Sequence, residues 1–281
     1  MHDEYLEKIA RVVPFDVQTT KIMNDGWANF VIQINDGWIF RFSRGALTRS
    51  QMVVETAFLP EFLKVSPLSV PNIEFSGEDF MGYRKIDGVP LKAEVLTTLS
   101  EESQTKVARE LGAFLTTLHG FRFSHAGLTE FPYGGNDFWG EIWPSVAPLL
   151  SDRAQADARK YFEDAFRKME SYPFSKTITH SDLGTSNVFF DPNQKSVAGV
   201  IDFGDMCIHD PARDFNGILR NHGRQFTEKV LSYYGQEMEP NFWDRIDFYA
   251  KKQNFQIIFY APKFGFQEYV PSCVADIEAT F

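Results

Sequence analysis

Between residues 17 and 43 apolar and polar positions alternate along three short runs, VQTTKIM, NFVIQI and WIFRFS, the last two separated by Asn35, Asp36 and Gly37. A period of two is what a half-buried strand requires, and such a turn closes two strands into a hairpin. The segment predicts an antiparallel meander. In WIFRFS the side chains of Trp38, Phe40 and Phe42 share one face, while Ile39, Arg41 and Ser43 share the other. Arg41 therefore projects opposite the aromatic face. From about Thr48 to Lys64 the pattern turns helical, with Met52, Glu55, Leu59 and Phe62 on one stripe and Pro60 predicting a kink. A carboxylate on an apolar stripe needs a partner.

PNIEFSG and DFMGYRKI predict another strand pair, and DGVP at 87–90 carries the turn chemistry of a hinge. Beyond it, SQTKVARELGAFLTTLHGF places Val107, Leu111, Phe114 and Leu118 at helical spacing, and 152–170 predicts a more polar helix. TITH, NVFF and VAGVIDF form a small island of strands, and helices resume after Pro211. The expectation is an α+β chain of two lobes: a small antiparallel-sheet lobe over residues 1–87, hinged at its end, and a larger, mainly helical lobe over 88–281.

Composition narrows the class. A charge of −10 disfavours a nucleic-acid partner, which is bound through clusters of lysine and arginine. No apolar run is long enough to span a bilayer. The opening MHDEYLEKIARVVPF lacks the basic start and apolar core of a secretory signal, so a cytoplasmic location is expected. Cys207 and Cys273 have no metal-type spacing and are read as free thiols.

HSDLGTSN, residues 180–187, links two strands of the island. A histidine, an aspartate two residues on, an asparagine five residues later and then Asp-Phe-Gly is an arrangement that phosphoryl transfer uses. Here these are His180, Asp182, Asn187 and, after the next strand, Asp202, Phe203 and Gly204. Asp182 can accept the proton of an attacking hydroxyl. Asn187 and Asp202 can reach magnesium from neighbouring strands, with phosphates and water completing the oxygen shell. His180 is expected to brace the loop. The competing reading makes Asp182 and Asn187 turn residues and Asp202 a buried ion-pair partner.

Such a site also needs a cation on the third strand, held by a helical glutamate, and Arg41 and Glu55 occupy these places. The position usually carries lysine, and arginine is wider and differently forked, so a plain salt bridge within the lobe stays open. Arg44 and Lys85 are alternative phosphate ligands. NDGWAN, with Asp25 and Gly26, is either a phosphate loop or an ordinary hairpin turn, since it has one glycine rather than three.

With these residues assembled, the sequence resembles the aminoglycoside phosphotransferase family, small-molecule kinases with the two-lobed protein-kinase-like fold. HSDLGTSNVFFD, GVIDFGD and HDPARDF are similar to its catalytic loop, magnesium segment and following stretch. IFRF, Glu55 and YRKIDGVPL bring it closest to the aminoglycoside 2''-phosphotransferase branch, and the resemblance covers residues 20 to about 235. It implies an Mg2+-dependent enzyme that moves the γ-phosphate of ATP or GTP to a hydroxyl of an aminoglycoside or related antibiotic; a monomer is expected. Asp182 would be the base, Asn187 and Asp202 the metal ligands, Asp210 and Asp214 braces, and Asp205 either a brace or a reactant. The short gap between DFG and DPARDF leaves no room for the activation segment of a protein kinase.

Two departures stand out. Arg41 replaces the usual lysine, and Arg220, His222 and Arg224 stand where carboxylates for a polycationic drug are expected. Macrolide phosphotransferases take a more apolar acceptor, which Trp243, Tyr249, Phe255, Phe259, Tyr260, Phe264, Phe266 and Tyr269 could line, or these could form a core. Glu239, Glu268, Asp276 and Glu278 are either amine ligands or surface carboxylates. A nucleotide-binding pseudokinase module is the alternative of another class, with no chemical reason to keep Asp182, Asn187 and Asp202 together.

Overall fold

The computed structural model describes residues 2–23, 29–130, 137–171 and 174–281. Strands β1 (Thr20–Met23), β2 (Asn29–Ile34), β3 (Trp38–Ser43), β4 (Ile73–Ser76) and β5 (Phe80–Arg84) form one antiparallel sheet in the order β1-β2-β3-β5-β4. The alternation in β3 sorts its faces as period two demands. Trp38, Phe40 and Phe42 pack with Ile32, Ile34 and Phe80 against Ile9 of the N-terminal helix α1 (His2–Ala10). On the opposite face lies helix α2 (Ala46–Phe62), where Met52 meets Met81 and Tyr83. Arg41 thus points at α2. The helix runs two residues past Pro60, so the proline falls in its last turn.

Arg84 still pairs with Trp38 in this sheet, whereas Val89 of the two-residue strand β6 (Val89–Pro90) pairs with Phe190 of the second lobe. The crossing turns at Gly88, whose φ of 136° suits glycine and whose added Cβ would lie 2.6 Å from the Phe190 carbonyl.

In the second lobe, helices α3 (Ala93–Thr97) and α4 (Glu101–Gly120) follow β6, and Ser100 caps α4 by accepting the Ser103 amide at 3.3 Å. Val107, Leu111, Phe114 and Leu118 all face the main core. After a short helix α5 (Trp143–Val146) comes the amphipathic α6 (Asp152–Ser171). Helices α7 (Asn216–Leu231), α8 (Phe242–Tyr260) and α9 (Val270–Thr280) close the lobe. Tyr249 and Phe255 belong to the core, and Trp243, Phe259 and Val270 pack at its edge. Tyr260, Phe264 and Tyr269 are exposed. The C-terminal aromatics therefore divide between core and surface. Among the described residues no helix is long and apolar enough to cross a membrane.

The island of strands is two sheets rather than one. Strand β8 (Val188–Asp191) lies between β6 and β9 (Ser196–Val200), while β7 (Thr177–Thr179) pairs with β10 (Cys207–His209). Backbone conformation is the reason: Ser181 and Asp202 take left-handed φ values of 68° and 65°, which end β7 and keep Ile201 to Phe203 out of β9. The three residues of β10 are too few to show a period.

The loop between β7 and β8 rests on the first turn of α7, where a Cβ on Gly217 would come within 2.1 Å of the Leu183 carbonyl oxygen. Backbone cannot yield as a side chain can. Gly217→Ala is expected to lower stability by about 1–3 kcal/mol, measured by denaturant unfolding, and an unchanged midpoint would contradict this packing.

Candidate active site

Two side chains, Asp214 and His180, fix the 180–187 loop. Asp214, fully buried, accepts the amides of His180 at 2.8 Å and Ser181 at 2.7 Å, and its Oδ2 also lies 3.0 Å from Nε2 of His119. Burial opposes the charge of Asp214, yet the hydrogen bonds and charges around it hold its pKa below the ordinary value. His180 lies against the Phe203 ring, with Nε2 3.0 Å from the Ile201 carbonyl and Nδ1 accepting the Asp182 amide at 3.3 Å. Asp210 caps the turn that leads into α7 by accepting the Ala212 amide at 3.0 Å.

These contacts present Asp182 to the cleft. Asn187 donates from Nδ2 to the main-chain oxygen of Asp182 at 2.8 Å and to its Oδ2 at 2.9 Å. One carboxylate oxygen is thereby tied down, and the amide oxygen of Asn187 is turned elsewhere. Reduced hydration in the cleft, followed by the charges of Asp205 and Asp202, pushes the Asp182 carboxyl up to about 7.

Opposite, Arg41 spans the lobes. Its Nη1 meets Glu55 Oε1 at 2.6 Å and its Nη2 meets Asp202 Oδ1 at 2.5 Å. Burial alone would weaken its hold on the proton, but the two carboxylates more than reverse that, and Arg41 stays charged. Glu55 Oε1 also accepts the Phe203 amide at 3.1 Å. Gln51, one turn earlier on α2, donates to Asp205 at 3.1 Å. The carboxylate on the apolar stripe has its partner, and α2 is fastened to the Asp-Phe-Gly segment.

The donor set suits a hard cation, because Asp182, Asp202 and Asp205 offer carboxylate oxygens and Asn187 an amide oxygen. Among the described residues no three His, Cys, Asp or Glu side chains form a closed metal cage. An ion that takes most of its oxygen shell from phosphates and water needs none.

Other expected residues lie elsewhere. Lys85 sits at the hinge end of the sheet, 3.8 Å from Asp87, and Arg44 is exposed. Asp25 and Gly26 lie outside the described residues. Glu239 and Asp210 are engaged by Arg245 at 2.8 Å each, and Glu278 accepts the amide and hydroxyl of Ser151. Arg220 donates to Asn254 at 2.6 Å, Arg224 covers the Trp243 ring, and burial pushes His222 down to about 4. Sequence reasoning passed over His119, Gln51 and Arg245. For His119 and Arg245 a signal existed: each is polar on the buried side of a helix.

A family model described as a phosphotransferase enzyme family matches residues 19–249, more than half of the chain, which therefore belongs to that family. Viomycin phosphotransferase of Streptomyces vinaceus is 27% identical over 182 residues, covering 62% of this chain and 61% of that protein, less than two thirds of its length. The GDP and kanamycin complex of APH(2")-IIia superposes with a TM-score of 0.88 at 19% identity, covering 99% of this chain and 98% of the other. The macrolide 2'-phosphotransferase MphH from Brachybacterium faecium gives 0.73 at 19% identity, with 98% of each chain covered. At these identities the two structures establish a shared fold, the two-lobed kinase-like one.

The raised pKa of Asp182 has a consequence for stability. The folded chain keeps this proton between the ordinary value of 3.8 and about 7, where the unfolded chain has released it. The stabilisation is therefore full at low pH and lost as pH rises through that window. In metal-free buffer Asp182→Asn, which cannot titrate, is expected to gain in Tm relative to the wild type as pH rises from about 5 to 8. Parallel Tm curves for the two proteins would contradict the raised value.

Proposed function

From membership of the phosphotransferase enzyme family, we propose that the chain is a magnesium-dependent kinase of small molecules, transferring the γ-phosphate of ATP or GTP to a hydroxyl of an aminoglycoside or related antibiotic. The observation that carries the reading is the joint arrangement of Asp182, Asn187 and Asp202 around one cleft, with Arg41 and Glu55 closing it from the other lobe.

Asp182 acts as the base. Asn187 ties one of its oxygens, so the other is aimed at the acceptor hydroxyl and takes its proton as the new O–P bond forms. Asn187 and Asp202 would hold Mg2+, which supplies charge neutralisation on the phosphates when bound. Arg41 is placed to move from Asp202 to a phosphate oxygen while Glu55 keeps its other nitrogen in position. Asp25 and Gly26, between β1 and β2, are proposed to approach the phosphates. The lobes divide between residues 87 and 88, which Gly88 and the switch of pairing from Trp38 to Phe190 support. The enzyme would act as a cytoplasmic monomer.

A second reading concerns the acceptor. Three aromatics, Tyr260, Phe264 and Tyr269, are exposed near the C-terminus. That favours an acceptor with more apolar surface, such as a macrolide.

Incubation with ATP or GTP and a panel of both drug classes, read by mass spectrometry, is expected to find a drug that gains one phosphate. Asp182→Asn should cut turnover by about 10²- to 10⁴-fold while nucleotide still binds. The reading fails if no drug gains mass with either nucleotide, or if Asp182→Asn turns over like the wild type.

A further inference from the structure

Within the proposed phosphoryl transfer, on which this rests, the structure assigns Ser181 as a positioning residue: its hydroxyl, in a closed ring of hydrogen bonds with Thr179 and Cys207, locks the backbone turn that aims Asp182. Ser181 immediately precedes Asp182 and has a φ of 68°. Glycine adopts that conformation freely, whereas a residue with a Cβ is strained in it and holds it only where its surroundings over-determine it. A residue that glycine would suit is here one with a hydroxyl, and it is buried, 7% exposed.

Strands β7 and β10 supply the partners. Cys207 and Thr179 oppose each other directly across the antiparallel pair, so their side chains leave the same face. Ser181 Oγ lies 2.8 Å from Thr179 Oγ1 and 3.2 Å from Cys207 Sγ, while Thr179 Oγ1 donates to the Cys207 carbonyl at 3.2 Å. That last bond orders the rest, because a carbonyl only accepts and the Thr179 hydroxyl has one hydrogen to give. Thr179 Oγ1 must then accept from the Ser181 hydroxyl, and Ser181 Oγ accepts from the Cys207 thiol. Burial pushes the Cys207 thiol up, so it keeps the hydrogen that this requires. Each of the three donors has its acceptor. All three side chains are buried, and a buried polar network that is fully satisfied is rigid.

The ring completes the hold on one residue. The Ser181 amide donates to Asp214 Oδ1 at 2.7 Å, and its carbonyl accepts from Arg213 Nε at 3.4 Å. Those bonds act on the two peptide planes. The hydroxyl anchors the Cα–Cβ bond between them, a third point that opposes relaxation of φ. Such relaxation would swing the following residue, Asp182, and a displacement of about 1 Å at a catalytic base can cost about 10²-fold in rate.

The test separates the ring from the strain. Ser181→Gly can keep the φ without strain and removes the hydroxyl, whereas Ser181→Ala removes the hydroxyl and keeps the strain. Cys207→Ala withdraws the donor to Ser181, and Cys207→Ser restores one. Each is read by kcat, by KM for nucleotide, and by amide hydrogen exchange of the 180–187 segment without ligands. Ser181→Gly is expected to lower kcat about 10- to 100-fold with KM for nucleotide within about twofold, and to speed exchange of that segment. Ser181→Ala should move both at least as far, Cys207→Ala should move both in the same direction by less, and Cys207→Ser should recover most of that loss. The assignment is overturned if Ser181→Gly leaves kcat and 180–187 exchange unchanged, since the φ alone would then aim Asp182, or if Cys207→Ser rescues neither. Should the Ser181 variants not fold, Cys207→Ala decides: unaltered kcat and exchange overturn it. Absence of any phosphate transfer by the wild type would defeat the functional reading instead, and the exchange comparison would still decide whether the ring locks the loop.

Discussion

One guanidinium holding two carboxylates is the interaction on which the cleft depends. Glu55 arrives on a helix that packs on the small sheet, Asp202 on a segment of the larger lobe, and Arg41 binds both at 2.6 and 2.5 Å. Glu55 is 1% exposed, so without a cation its charge would be buried uncompensated, which costs several kcal/mol. Asp202 is 45% exposed and can exchange partners at little cost. The asymmetry fits a device in which one bond is permanent and the other is surrendered to a ligand. Arginine suits this better than a lysine, because its fork addresses two acceptors with separate nitrogens.

Much of this was legible in the chain. Period-two alternation placed Arg41 on the correct face of β3, and the glutamate on an apolar stripe announced a partner before the partner was known. The spacing of His180, Asp182, Asn187 and Asp202 identified the cleft because it joins local turns to strands. The sheet partition was not legible, since it depends on left-handed φ values at Ser181 and Asp202, and serine carries no signal for that conformation while aspartate carries only a weak one. Nor were the braces: that His119 meets Asp214, or that Arg245 meets Asp210, depends on helix packing between residues 95 and 35 positions apart.

The acceptor side follows a different logic. Two of the four acidic residues that sequence position offered as amine ligands are spent on architecture: Glu239 on Arg245 and Ser175, Glu278 on the start of α6. The basic residues of α7 are likewise engaged, Arg220 with Asn254 and Arg224 with Glu228. Charge counting along a helix thus says little about the ligand until each charge has been assigned its neighbour. The residues of the proposed phosphate chemistry lie in short-range motifs, whereas the candidate acceptor residues lie on helices that converge only in space.

The two-residue strand at the hinge has a further consequence. Val89 pairs with Phe190, Leu91 donates to the Val188 carbonyl, and Asn187 immediately precedes the strand that carries both, β8. A compound wedged against the hinge would therefore pull directly on the backbone that carries a proposed metal ligand. Under the proposed phosphotransfer, such a compound would act from the nucleotide side rather than through the acceptor pocket.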